Sequence, residues 1–332
     1  MTNDTSLPWR RAAVTGGAGF LGSHLCERLL DSGVGVDCAD NLLSGSRGNV
    51  AHLEARPGFR FLECDLSDPR STQVLDGPYD LVLHFACPAS PVDYLSHPLE
   101  TLDVGSAGTR HALEVAGRDG ARFLLASTSE VYGDPLVHPQ REDYWGNVNP
   151  VGPRSVYDES KRFAEALVTA HAGTLGTNAG IVRLFNSYGP RMRAHDGRAV
   201  PTFICQALAG EPLTVAGDGS QTRSLCYVDD TVDGVLTVAA TRSLRPVNIG
   251  GTDEVTVADI ARQIVELTGS HSELTFVERP VDDPERRRPD TTLARELLGW
   301  QPHVPWAEGI KRTIAYFAAR DDQREAEPAV RV

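Results

Sequence analysis

Tyr157 and Lys161 bracket the run Tyr157-Asp158-Glu159-Ser160-Lys161. On a helix, residues four apart share a face. The ammonium would then lie beside the phenol and favour its anion. An unperturbed tyrosine, with a pKa near ~10, is a poor base at neutral pH, whereas a lowered one takes a hydroxyl proton as a hydride leaves. Arginine differs in shape and keeps its proton, so it substitutes badly here. The chain is otherwise starved of lysine: Lys161 and Lys311 are its two lysines among 32 basic residues. A hydroxyl group stands upstream in Ser127-Thr128-Ser129, at the end of an apolar run.

A second constellation lies near the N-terminus. Gly16-Gly17-Ala18-Gly19-Phe20-Leu21-Gly22 spaces its glycines G-x-x-G-x-x-G directly after an apolar run. In a strand-loop-helix context, Gly16 permits a tight turn, Gly19 lets backbone approach a pyrophosphate, and Gly22 lets helix pack on strand. Amides at the helix N-terminus then point at phosphates. Asp40, about 20 residues on, is placed to accept hydrogen bonds from a ribose. Its charge repels a 2′-phosphate and favours NAD over NADP, with the neighbouring Arg47 as the feature that could undercut this. Asp65 has two readings, an adenine contact or a helix cap ahead of Pro69.

The elements that must position these residues follow from periodicity. Strands are predicted at Ala12–Thr15, Val34–Ala39, Phe59–Leu62, Leu81–Phe85, Phe123–Ala126 and Ile181–Leu184. Helices are predicted at Phe20–Asp31, Leu99–Arg118 and Tyr157–Ala172. This alternation predicts an α/β fold, a Rossmann-type doubly wound parallel sheet, over residues 9–186. Beyond Asn186, short helices at Val200–Ala209, Asp229–Ala240, Thr256–Leu267, Thr291–Leu298 and Trp306–Ala319 suggest a smaller C-terminal lobe, residues 187–320. Val247–Ile249 is a candidate to return to the main sheet. The polar ends, 1–8 and 321–332, are expected to be frayed.

Composition narrows the partners. A formal charge of −13 over 332 residues argues against a nucleic-acid surface and against anionic membranes. No apolar run approaches ~18 residues and the N-terminus lacks a signal peptide's apolar core, which predicts no membrane span and a cytoplasmic protein. The six cysteines lack metal-type spacing and read as reduced core thiols. Histidines 84, 111, 138 and 195 form no spaced cluster, so no metal is expected.

Together the glycine loop, Thr128 and the Tyr157/Lys161 pair resemble the extended short-chain dehydrogenase/reductase family over residues 11–320. That resemblance implies NAD as cofactor, nucleotide sugars as substrates, and Thr128, Tyr157 and Lys161 around the nicotinamide. It also places Phe20, Leu21, Asn41, Leu66, Ala86 and Ser127 along the cofactor. Members that are 4,6-dehydratases usually carry Asp-Glu after the threonine, whereas this chain has Ser129-Glu130. Longer stretches narrow the match: Ala86-Cys87-Pro88-Ala89-Ser90-Pro91, Tyr144–Pro150, Gly189-Pro190-Arg191-Met192, Asp218–Arg223 and Asp282–Asp290. In order, they resemble the UDP-glucuronate decarboxylases of that family.

This resemblance implies C4 oxidation by NAD, loss of carbon dioxide and re-reduction to UDP-xylose, with Tyr157 as base and Glu130 delivering a proton at C5. It assigns Pro88, Ala89, Ser90, Asn186, Arg191, Leu213, Thr214, Arg223 and Arg287 to the UDP-sugar, with Arg287 nearest the reacting end. Ser160 departs from the glycine common in these enzymes. A 4-epimerase, a decarboxylase releasing a UDP-4-keto-pentose, and a non-catalytic NAD sensor remain open. Similar enzymes form homodimers through a four-helix bundle, for which Leu102, Val104, Ala107, Ala112, Leu113, Phe163, Ala164 and Leu167 are candidates.

Overall fold

The structure, a computed structural model, describes residues 7–326. In chain order its first elements are β1 (Arg11–Thr15), α1 (Phe20–Asp31), β2 (Gly35–Asp40), β3 (Phe59–Glu63), α2 (Ser71–Val74), β4 (Leu81–His84), α3 (Pro91–Ser96) and α4 (Pro98–Asp103). A π-helical turn (Val104–Gly108), α5 (Thr109–Asp119), β5 (Arg122–Thr128), a 3₁₀ turn (Ser129–Tyr132), α6 (Ser155–Leu175), β6 (Ala179–Leu184) and β7 (Ser187–Tyr188) follow. The remainder comprises α7 (Ala199–Leu208), β8 (Leu213–Ala216), β9 (Thr222–Ser224), β10 (Cys226–Tyr227), α8 (Val228–Ala239), β11 (Val247–Ile249) and β12 (Glu254–Thr256). It ends with α9 (Val257–Thr268), β13 (Leu274–Val277), β14 (Arg286–Arg287), α10 (Thr292–Leu298) and α11 (Trp306–Ala326).

Seven strands form one parallel sheet in the order β11-β6-β5-β4-β1-β2-β3. Central β5 is buried along its whole length, as a strand covered by helices on both faces must be. Val14 pairs with Cys38 of β2 on one side and Leu83 of β4 on the other. Chain direction across the sheet reverses between β1 and β4, so a crevice opens at their carboxyl ends. One apolar core fills the face carrying α1 and α8, and a second fills the face carrying α5 and α6.

Local chemistry explains the helix limits. In α9 the buried Val257, Ile260, Ala261 and Ile264 recur at helical spacing. The Thr256 side chain accepts from the Asp259 amide at its start, and Gly269 closes it at φ 67°. Helix α6, which carries Tyr157 and Lys161, likewise ends on Gly176 at φ 69°.

Three departures from the expected elements stand out. The helix predicted at Leu99–Arg118 is interrupted by the π-helical turn, where Gly105 lies against Ser160 of α6. The last helix continues to Ala326, past the frayed end expected from residue 321, because that stretch is rich in helix-forming residues. Leu7 packs on the core, and the other residues expected to fray, 1–6 and 327–332, lie outside the described residues. Val247–Ile249 does return, pairing with β6, so the C-terminal half contributes to the main sheet as well as to its own small sheets. No helix among the described residues is long and apolar enough to cross a membrane.

Candidate active site

A cleft open to solvent runs along the carboxyl ends of β1, β4 and β5. The glycine loop forms one end. Gly16 sits at φ +68°, and a Cβ there would meet Phe85 and Ala86 backbone at 2.7 Å. A Cβ on Gly22 would stand 2.1 Å from the Gly16 carbonyl oxygen, so α1 can start this close to β1 only with glycine at both positions. No acidic residue occupies the first turn of α1. These features fit a dinucleotide pyrophosphate seated on the helix N-terminus.

Asp40 lines the cleft as expected, but its carboxylate is already engaged. Oδ2 accepts from the Ala18 amide at 2.9 Å and Oδ1 from the Leu42 amide at 2.8 Å. It braces the glycine loop, and each oxygen keeps a second lone pair for a ribose hydroxyl. Burial pushes this carboxyl up, against those two amide bonds. Arg47 does not line the cleft; it pairs with Glu54 at 2.7 Å and covers the Phe61 ring. Asp65 forms a tight turn by accepting from the Ser67 amide at 2.8 Å and still faces the cleft. Phe20, Leu21, Asn41, Leu66, Ala86 and Ser127 line the same cleft, together with Gly16, Gly19 and Gly22.

At the other end, the end of β5 presents Thr128 and α6 presents Tyr157 and Lys161. The Lys161 ammonium donates to the Ala126 carbonyl at 2.9 Å and lies 5.9 Å from the Tyr157 ring centre. The Tyr157 ring stacks on Tyr94, with centroids 5.3 Å apart and planes 7° from parallel. One expectation is corrected here. Burial, followed by the nearby Cys87 thiol, pushes the Tyr157 phenol above its ordinary value, while a hydrogen bond with Thr128 opposes the rise. Lys161 spends one of its three N–H donors on a β5 carbonyl and keeps its charge beside the ring, while burial remains the largest influence on the phenol.

Glu130 lines the cleft just after Thr128. Arg287 grips it in a fork: one nitrogen donates to Oε1 and the other to Oε2 at 2.7 Å. Arg154 donates to Oε2 at 2.9 Å. Burial raises this carboxyl, but the opposed charges of Arg287 and then Arg154 outweigh it and hold Glu130 well below the usual carboxylate range. Between two guanidiniums Glu130 is ionised, so to deliver a proton at C5, directly or through a water, it must first acquire one. The fork also relocates Arg287, which is 4% exposed and does not line the cleft.

The expected substrate residues divide. Pro88, Ala89, Ser90, Asn186 and Arg191 line the cleft. The Asn186 Oδ1 and one Arg191 terminal nitrogen are buried without partners, as donors and acceptors awaiting a polar ligand would be. Leu213, Thr214 and Arg223 do not line it. Leu213 is fully buried core, Thr214 is bonded to Gln206, and Arg223 is clamped on Asp283 with two contacts at 3.0 Å. Sequence reasoning missed Arg154, Arg193 and Arg198. Arg193 and Arg198 line the cleft in pairs with Asp93 and Asp196. Arg154 had a legible signal, since it stands one helical turn before Asp158. His84 is structural, held between Thr15 and Thr109. No group of metal-ligating side chains occurs among the described residues.

Comparison with known proteins agrees with this geometry. The family model for the NAD dependent epimerase/dehydratase family matches residues 12–250. UDP-glucuronic acid decarboxylase 1 of Danio rerio is 47% identical over 309 residues, 93% of this chain and 73% of that protein. UDP-glucuronic acid decarboxylase 5 of Arabidopsis thaliana is 46% identical over 90% of this chain and 87% of that protein. Among solved structures, a dTDP-glucose 4,6-dehydratase of Streptomyces venezuelae with NAD bound superposes with a TM-score of 0.86 at 28% identity, over 94% of this chain and 98% of that one.

Proposed function

The chain belongs to the NAD dependent epimerase/dehydratase family, and we propose that within it the protein converts UDP-glucuronate to UDP-xylose and carbon dioxide. One observation carries this reading beyond the relatives. Glu130, fixed by Arg287 and Arg154, shares a cleft with Thr128, Tyr157 and Lys161. A simple 4-epimerase needs no carboxylate there.

NAD, when bound, accepts the C4 hydride and later returns it. Tyr157, once it has lost its own proton to solvent, takes the O4 proton as C4 becomes a ketone and gives it back at the end. The 4-ketone makes the C6 carboxylate that of a β-keto acid, so carbon dioxide leaves with its electrons delocalised onto O4. Thr128 and Tyr157 stabilise that enolate through hydrogen bonds to O4. Glu130 delivers the proton that C5 then needs. Arg191 binds the diphosphate region, a role supported by its unpartnered buried nitrogen, while the unpartnered Asn186 Oδ1 accepts from a hydroxyl or N–H of the nucleotide sugar. In this reading Arg287 meets the sugar carboxylate, exchanging one carboxylate for another, and Arg223 remains a clamp on Asp283.

The protein is further proposed to be a homodimer. Leu95, Leu99, Leu102 and Phe163 are exposed on α3, α4 and α6, at 54, 70, 39 and 49%. Of the other candidates, Val104, Ala112, Leu113 and Ala164 are monomer core, while Ala107 and Leu167 are half-buried. Cys26, Cys38, Cys64, Cys87 and Cys226 stand as thiols, which suits a reducing, cytoplasmic setting.

Incubation with UDP-glucuronate and NAD tests the function. The expected result is carbon dioxide and UDP-xylose with no steady rise in NADH absorbance. Accumulating NADH would mean release of a 4-keto-pentose. A retained carboxylate with inverted C4 would mean epimerisation, and the decarboxylase reading would fall.

A further inference from the structure

Each carbon dioxide released leaves C5 short of one proton, which must ultimately come from solvent. This requirement rests on the decarboxylase reading. Glu130, ionised between two arginines, has no proton to give in that state.

A second carboxylate stands behind it. Asp158 follows Tyr157 on α6, is 6% exposed, and its Oδ1 is buried without a hydrogen-bond partner. Arg154 and Glu159 flank it on its own helix; Glu130 of the 3₁₀ turn, Arg287 of β14 and Tyr94 of α3 face it from elsewhere. The Tyr94 hydroxyl is also buried and unpartnered, and its ring lies on Tyr157. Both arginines are committed to Glu130, so Asp158 has no cation of its own. Burial, then the Glu130 charge, push the Asp158 carboxyl up to about 7 against the pull of Arg154 and Arg287. Two carboxylates in one low-dielectric site resist being charged together, so one of them tends to keep a proton.

We propose that Asp158 is the proton store of the reaction, charging Glu130 with the proton that Glu130 then gives to C5. Asp158 does not line the cleft and therefore acts through Glu130. The substrate carboxylate competes for Arg287, and each guanidinium drawn off Glu130 raises its affinity for the stored proton. The C5–C6 bond breaks and its electron pair enters the enolate. Asp158 passes its stored proton to Glu130 by way of a water, that electron pair then forms the C5–H bond with the proton Glu130 has received, and solvent refills Asp158. One proton is consumed per carbon dioxide. The store is full below about pH 7 and empties as pH rises through it.

The test compares UDP-xylose formation from UDP-glucuronate against pH in wild type, Asp158→Asn and Asp158→Glu, following enzyme-bound NADH throughout. Wild type should lose rate as pH rises through about 7. Asp158→Asn should lose that limb, run about tenfold slower below it, less than the ~10²-fold or greater loss on removing an acid that touches the substrate, and build up bound NADH during turnover. Asp158→Glu should restore the limb. Wild-type rate and pH profile in Asp158→Asn would overturn the proposal. So would loss of turnover in both variants without NADH build-up, which would assign Asp158 a structural role. Wild-type protein that releases no carbon dioxide would overturn the functional reading itself.

Discussion

Tyr157 is held under two opposing influences. Burial and Cys87 raise its phenol, while Thr128 offers it a hydrogen bond. To take the O4 proton as the C4 hydride departs, Tyr157 must already stand as the phenolate, a form that burial opposes and that the Thr128 hydrogen bond and the nearby Lys161 ammonium favour. Tyr157→Phe keeps the ring on Tyr94 and removes only the hydroxyl, so fold and NAD retention should persist while turnover falls by ~10²–10⁴-fold. Steady-state kinetics with bound-NAD measurement checks this, and near-wild-type turnover would remove the base assignment. The reactive residues themselves were legible, because i,i+4 spacing and a lysine kept amid arginines are local signals. Lys161 is 5% exposed with its ammonium on a carbonyl, where a guanidinium would not fit; Lys311 is exposed and has no visible role. The grip on Glu130 was not legible, since it joins a 3₁₀ turn, the start of α6 and β14 across 157 residues of chain.

At the scale of elements, the π-helical turn shows how a local departure serves packing. Gly105 sits where a Cβ would stand 2.7 Å from the Ser160 Cβ, and Ser160 in turn donates to the Tyr157 carbonyl at 2.8 Å. Alanine normally favours a helix over glycine by ~1 kcal/mol. Gly105→Ala should instead destabilise by about 1–3 kcal/mol, the usual cost of overpacking, and loosen the helix that carries the base. Ser160→Gly should relieve part of that loss, leaving a coupling of about 0.5–3 kcal/mol in a double-mutant cycle. Denaturant unfolding of the four proteins measures it, and additive losses would dissociate the pair. The parallel sheet was readable because period and spacing mark βαβ units. Strands β9, β12 and β14 were not, because two- or three-residue strands exist only through partners far along the chain.

For the whole molecule, charge and apolar surface point in different directions. A net charge of −13 spread over the chain keeps copies apart, yet the lobe must hold an anionic nucleotide. The arginines resolve this by standing in the cleft already paired, as Arg191 is with Glu27, Arg193 with Asp93 and Arg198 with Asp196. An anion entering the cleft exchanges partners with a guanidinium already in place. In the proposed homodimer association would come from apolar contact, and Leu95, Leu99, Leu102 and Phe163 supply an exposed patch on the helices adjoining Tyr157. Light scattering should give wild-type protein a mass of twice the 35.9 kDa chain. Phe163→Glu places a charge in that patch and should yield monomers. Because Phe163 stands two residues from Lys161, on the helix that sets the Tyr157 and Lys161 positions, the monomer should also lose turnover. A wild-type monomer, or a Phe163→Glu dimer of unchanged mass, would mean that this face is not where two copies meet.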